Sequence, residues 1–97
     1  MATPLFKPGR ILATPGALEA LAQAAQSPSE FLSRHLAGDW GAVSGDDKEA
    51  NDESVKDGSR LLSAYILNTD VKIWVITEAV DECGNRAATT VLLPDEY

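Results

Sequence analysis

Two groups of side chains in this chain have the types and spacing to do chemistry. The first is Arg34, His35, Asp39 and Trp40. His35 and Asp39 stand four apart across a helix end, where a carboxylate can orient an imidazole for general-base work. The second is Arg60, Tyr65, Trp74, Glu78 and Thr90, all within strand-forming segments. Small sheet-based ribonucleases array polar groups of this kind on an open sheet face. Either set would make a small hydrolase or ribonuclease, with His35, Asp39, Arg60 and Glu78 as catalytic residues. The structural reading of each set is the stronger one. A histidine between Leu32 and Leu36 on an apolar face is normally a hydrogen-bonded core-edge residue. Asp39 can serve as a cap, and Tyr65 and Trp74 can pair across neighbouring strands.

Other chemistries lack their residues. The chain has no glycine-rich nucleotide loop and no nucleophile elbow. Gly38, Gly41 and Gly45 are spaced wrongly for a phosphate cradle. One histidine and one cysteine cannot assemble a zinc site. Residues 46–53 share only their composition with a calcium loop and lack its central glycine. Cys83 sits in a turn with no adjacent base and reads as a surface thiol. Neither a metal nor a cofactor is expected, and an enzyme is the weaker alternative.

The charge is more informative. The formal net charge is −7, and most of the excess is local. Asp39, Asp46, Asp47, Glu49, Asp52, Glu53 and Asp57 face only Lys48 and Lys56 in that stretch. Such a segment repels phosphate backbones, so no direct binding of DNA or RNA is expected. It suits a basic protein partner, with Trp40, Asp46, Asp47, Glu49, Asp52 and Glu53 as the contact surface. The competing reading is a solvated acidic helix that only keeps the protein soluble.

These residues must be held by a small set of elements. Gly9 to Ala13 reads as an edge strand after Pro8. Thr14-Pro15 starts a helix to about Gln26, with Leu18, Leu21, Ala22 and Ala25 on one face. Ser27-Pro28-Ser29-Glu30 has the form of a capping box. The helix it opens carries Phe31, Leu32, His35 and Leu36 and ends at Gly38. Asp46 to Lys56 is a weaker helix with Asp46 and Glu49 at capping-box spacing and only Ala50 and Val55 on its apolar face. Ser59–Leu67, Val71–Glu78 and Arg86–Leu93 are three strands joined by turn-forming Asn68-Thr69-Asp70 and Gly84-Asn85.

The fold class is therefore α+β: two or three short N-terminal helices packed on a three- to four-stranded antiparallel β-meander. Leu18, Leu21, Phe31, Leu32 and Leu36 are expected to make the contact. The 97 residues form one domain, 1–97. A chain of this size buries roughly 65% of its unfolded surface, enough for one modest core. The single cysteine, the lack of a signal-like start and the lack of any run near ~18 apolar residues point to the cytoplasm and away from membranes. A homodimer formed through a sheet edge is compatible with this pattern.

Several segments together carry a resemblance: Ala13-Thr14-Pro15-Gly16-Ala17-Leu18, the stretch from Phe31 to Gly41, Leu62-Ser63-Ala64-Tyr65, Ile73 to Ala79 and Thr89 to Pro94. From Leu5 to Tyr97 the chain resembles a family of short uncharacterised prokaryotic reading frames found on plasmids and prophages. Members are sometimes labelled type I restriction endonuclease subunit M. The resemblance implies a cytosolic prokaryotic protein near defence or counter-defence genes. It supplies no catalytic residue, and the chain is too short for a methyltransferase sheet and lacks its glycine-rich loop. The leading expectation is a non-enzymatic, acidic protein-interaction module, in its sharper form a nucleic-acid-mimic inhibitor.

Overall fold

β-Branched and aromatic residues concentrate after residue 60, and there the chain is mostly sheet. In the computed structural model, which describes residues 4–97, the order is β1 (Arg10–Ala13), α1 (Pro15–Gln23), α2 (Pro28–Leu36), α3 (Gly45–Asp57), β2 (Leu61–Ile66), β3 (Lys72–Thr77) and β4 (Ala88–Leu92). A 3-10 turn, Pro94–Glu96, follows. Three helices and a four-stranded sheet make the fold α+β.

The sheet runs β1-β4-β3-β2. β2 pairs antiparallel with β3, and β3 with β4, but β1 lies parallel to β4. The sheet is mixed, which corrects the expectation of a purely antiparallel one. Parallel strands need a long crossover, and the three helices lie within the stretch between β1 and β4. A second correction concerns the aromatics. Tyr65 faces Ile73 and Ala64 faces Trp74 in the register, so Tyr65 and Trp74 are not a cross-strand pair. Tyr65 meets Phe31 at 5.2 Å between ring centroids, and Trp74 meets Tyr97 edge-on at 5.9 Å.

Over β2, β3 and β4 one sheet face is wholly buried and carries Leu61, Ser63, Tyr65, Ile73, Val75, Thr77, Thr89 and Val91. Onto it α1 turns Ala17, Ala20, Leu21 and Ala24. The expected stripe of Leu18, Leu21, Ala22 and Ala25 is rotated, and Leu18 is 48% exposed. The small alanines let the helix approach, where a leucine would hold it off the sheet. In α2 the buried residues are Phe31 and His35, with Leu32 and Leu36 at the margin.

Capping also differs in detail from the sequence pattern. Ser27 accepts from the Ser29 amide at 3.2 Å rather than from Glu30. The Glu30 carboxylate instead takes the Gln26 amide side chain at 3.0 Å. α3 starts one residue earlier than expected, capped by Ser44, whose hydroxyl accepts from the Asp47 amide at 3.1 Å. Its inner face is Asn51 and Ser54, not Ala50 and Val55.

Asn51 explains why so polar a helix docks. Its side chain donates to the Leu62 carbonyl at 2.8 Å and accepts from the Leu62 amide at 3.1 Å. It thus stands in for a strand on the outer edge of β2. Residues 40–42 continue that cover: the Ala64 amide donates to the Trp40 carbonyl at 3.1 Å and the Ala42 amide to the Ala64 carbonyl at 2.7 Å. The edge offers few free groups to another chain. On the opposite sheet face the C-terminal turn is latched to the start of α1, because the Thr14 hydroxyl donates to Glu96 at 2.5 Å.

Two backbone positions test this account. Gly41 sits at φ 74°, and a Cβ there would drive into the Ala64 carbonyl and the Tyr65 ring. Gly41→Ala is expected to cost more than about 2 kcal/mol. Ala25 holds φ 55° in a Schellman ending, where the Gln26 amide reaches the Leu21 carbonyl at 3.0 Å. Ala25→Gly is expected to stabilise by about 1 kcal/mol. Urea denaturation checks both, and a neutral Gly41→Ala would refute the edge packing.

Candidate functional site

His35 is the only histidine and is completely buried. Both ring nitrogens are engaged: Nδ1 lies 2.5 Å from Ser63 Oγ and Nε2 lies 2.8 Å from Thr77 Oγ1. The directions follow by elimination. Thr89 donates to the Pro8 carbonyl at 2.8 Å. Its oxygen therefore accepts the Thr77 hydroxyl proton, across 2.7 Å. Thr77, having spent its proton, accepts from Nε2–H. Burial first, and the Arg86 charge second, push the ring's pKa down to about 4, so it is neutral at pH 7. With its one proton on Nε2, its Nδ1 accepts the Ser63 hydroxyl.

Asp39 does not join this ring, contrary to the sequence pairing. It binds Arg34 instead, with Oδ2 2.7 Å from Arg34 Nε, and this bond holds its carboxyl below the ordinary range. The pair is about half exposed, so its stabilising effect is small. The Arg34 guanidinium lies 4.6 Å above the Tyr65 ring. Tyr65, pushed up to about 12 by burial, donates to the Asp39 carbonyl at 2.7 Å. His35 and Asp39 are therefore held in separate networks, one sealed and one on the surface. A sealed ring cannot reach a substrate proton, so it is not poised as a general base.

The second sequence grouping is split between the two sheet faces, with Trp74 and Thr90 on one and Tyr65 on the other, and Arg60 and Glu78 just beyond the Leu61–Thr77 pair. Arg60 donates to the Tyr97 hydroxyl, while Glu78 is exposed and its carbonyl accepts from Arg86 at 2.9 Å. Tyr65 belongs to the buried face, and Trp74 to the other. Among the described residues, no group of three His, Cys, Asp or Glu side chains is placed to hold a metal. No helix among them is long and apolar enough to cross a membrane.

The acidic surface is partly as expected and partly corrected. Trp40 is 3% exposed and points inward, edge-on to His35 at 5.6 Å and stacked on Phe6 at 6.3 Å. Its indole N–H donates to Asp52 at 3.1 Å. Trp40 is therefore removed from the contact surface, and Asp52 is tied to it. Asp46, Asp47, Glu49 and Glu53 remain exposed on α3. Of these, Glu53 alone lies near a cation among the described residues, 3.9 Å from Lys56.

At the far end of α3 the sign of charge reverses. A cavity of about 340 Å³ opens between residues 5–7, the last turn of α3 and the connection leading into β4. Arg86 forms its inner wall and is 8% exposed. It donates from Nη1 to the Ser59 and Glu78 carbonyls at 2.8 and 2.9 Å, and from Nη2 to Ser54 at 3.0 Å. The Phe6 ring centroid lies 5.6 Å from its guanidinium, and burial lowers its pKa. Lys7 and Lys56 line the same cavity. Sequence reasoning missed these residues. They come from three separate segments, and a lone arginine after a Gly-Asn turn announces nothing.

No protein-family model, curated protein or solved structure matches the chain.

The His35 geometry has a pH consequence. The unfolded ring takes up a proton near its ordinary 6.5, whereas the folded ring resists until about 4. Between these values the unfolded state binds more protons, so stability falls as pH falls through that window. The expected contribution is about 3 kcal/mol. His35→Gln is expected to flatten that part of the stability–pH curve, measured by denaturant titration. Nitrogen NMR should show the Nε2–H neutral ring persisting at pH 5; an imidazolium titrating near 6.5 in the folded protein would disprove the assignment.

Proposed function

We propose that this protein is a non-catalytic interaction module that engages a basic protein surface through the outer face of α3. One observation carries the reading: α3 turns Asn51 and Ser54 inward and leaves Asp46, Asp47, Glu49 and Glu53 exposed. A helix stabilised only for itself would alternate its charges at i and i+4. Here acids dominate, and Lys48 and Lys56 are its only cations. The sharper form of the proposal is an inhibitor that occupies the nucleic-acid groove of a basic enzyme. Its carboxylates take the places of phosphates. The setting that goes with it is the cytoplasm of a prokaryote, beside defence or counter-defence systems, as the sequence resemblance implies.

The hydrolase reading, resting on His35 with Asp39 or on Arg60 with Glu78, receives no comparable support, since His35 is sealed away from Asp39 and Arg60 is bonded to the Tyr97 hydroxyl. DNA-cleavage assays with restriction and CRISPR-type enzymes test the proposal. Inhibition is expected to fall about tenfold or more in a D46N/D47N/E49Q/E53Q variant, the summed effect of several exposed charge contacts. It is also expected to fall with added salt. Inhibition indifferent to both changes, or its absence with every such enzyme, would reject the reading.

A further inference from the structure

We propose that the cavity walled by Arg86 binds a small organic anion, a phosphate or carboxylate on a short apolar body. Arg86, Lys7 and Lys56 engage the anionic group, and Phe6 and Val80 receive the apolar part. The chain has eight lysines and arginines against fifteen acids. Three of those eight nonetheless line this one cavity, against a single carboxylate, Asp57. Asp57 is itself occupied, accepting from the Ser59 amide at 2.9 Å. A cavity of about 340 Å³ lies at the small end of the range that holds organic ligands.

Arg86 supplies the second argument. It is more than nine-tenths buried, and each of its three hydrogen bonds goes to a backbone carbonyl. A guanidinium has five N–H donors, so these bonds leave two. No buried side-chain nitrogen or oxygen among the described residues lacks a partner. The unbonded Nε–H is therefore at a solvent-reached position, and the opening beside Arg86 is this cavity. A buried cation is normally matched by an acid. Here carbonyl dipoles hold it in place, and the Asp57 carboxylate on the same cavity offsets its charge without bonding to it. Its role as a clamp between α3, β2 and β3 accounts for the three bonds. It gives no reason for two lysines to converge on the same opening.

Carbonyls at a helix C-terminus would normally repel an anion. At this end of α3 that repulsion is reduced. Arg86 and the Gly58 amide take the Ser54 carbonyl, and the Val80 amide takes that of Gly58 at 2.8 Å. The site touches the outer face of α3 only where Lys56 lies 3.9 Å from Glu53, and its fate does not depend on the partner proposed above.

The test is an NMR titration of the ¹⁵N-labelled protein with hexyl phosphate, hexanoate, inorganic phosphate and hexylammonium. Hexyl phosphate or hexanoate is expected to give saturable shifts at the Arg86 Nε–H and at the amides of Lys7, Gly58 and Asn85. Hexylammonium is expected to give none. Arg86 variants are expected to unfold, so the decisive comparison is K7Q/K56Q, which is expected to bind about tenfold more weakly with an otherwise unchanged spectrum. K48Q/K72Q, with the same loss of charge elsewhere, is expected to bind normally. No saturable shift with either organic anion, or equal weakening in both double variants, would overturn the site. Inorganic phosphate binding as tightly as hexyl phosphate would overturn the apolar half of the assignment.

Discussion

The fold depends on one buried chain of hydrogen bonds that runs in a single direction. Ser63 gives to His35, His35 to Thr77, Thr77 to Thr89, and Thr89 to the Pro8 carbonyl. Each donor has one acceptor, and the last acceptor has no proton to return. The chain joins α2, the three strands from β2 to β4 and the segment before β1. Polar groups this deep are costly when unmatched. A sheet slipped by one residue would turn Ser63 and Thr77 to the other face and strand the imidazole. The chain therefore acts as a register pin, in a core otherwise built from alanine, larger aliphatic side chains and aromatic rings. It also explains why the one histidine is unavailable for acid–base chemistry.

Charge is sorted along α3. Its outer face is acidic, its first turn contains Asp46 and Asp47 where the helix dipole favours them, and its last turn faces Arg86. Such a helix has little apolar surface with which to dock. It is held instead by Asn51 on the edge of β2, by Asp52 on the Trp40 indole and by Arg86 on Ser54. Specific hydrogen bonds replace the usual greasy stripe.

The sequence made the local elements legible and the long-range ones obscure. Ser27-Pro28, Gly38 and Gly58 mark helix ends because capping is decided within a few residues. The three strand runs after Ser59 stand out by β-branching and turn chemistry. β1 is different: its partner is Ala88–Val91, and nothing in four residues says which way a distant strand will run. The phase of α1 was misjudged for a related reason. Leucine at 18 looks more hydrophobic than alanine at 17, yet the sheet accepts only the smaller side chain. For the site, His35 was visible as a residue type, but Ser63 and Thr77 lie 28 and 42 positions away. Trp40 reads as exposed beside two glycines until Phe6 and His35 are seen to enclose it.

The parallel pairing of β1 with β4 also fixes an order of events during synthesis. β1 and α1 leave the ribosome first, yet the strand that completes them, and the Glu96 carboxylate that closes over Thr14, arrive last. Until then the β1 backbone has no strand to pair with, since local contacts cannot satisfy it. The nascent chain thus passes through a stage in which α2, α3 and the β2–β3 hairpin can associate while the first strand waits.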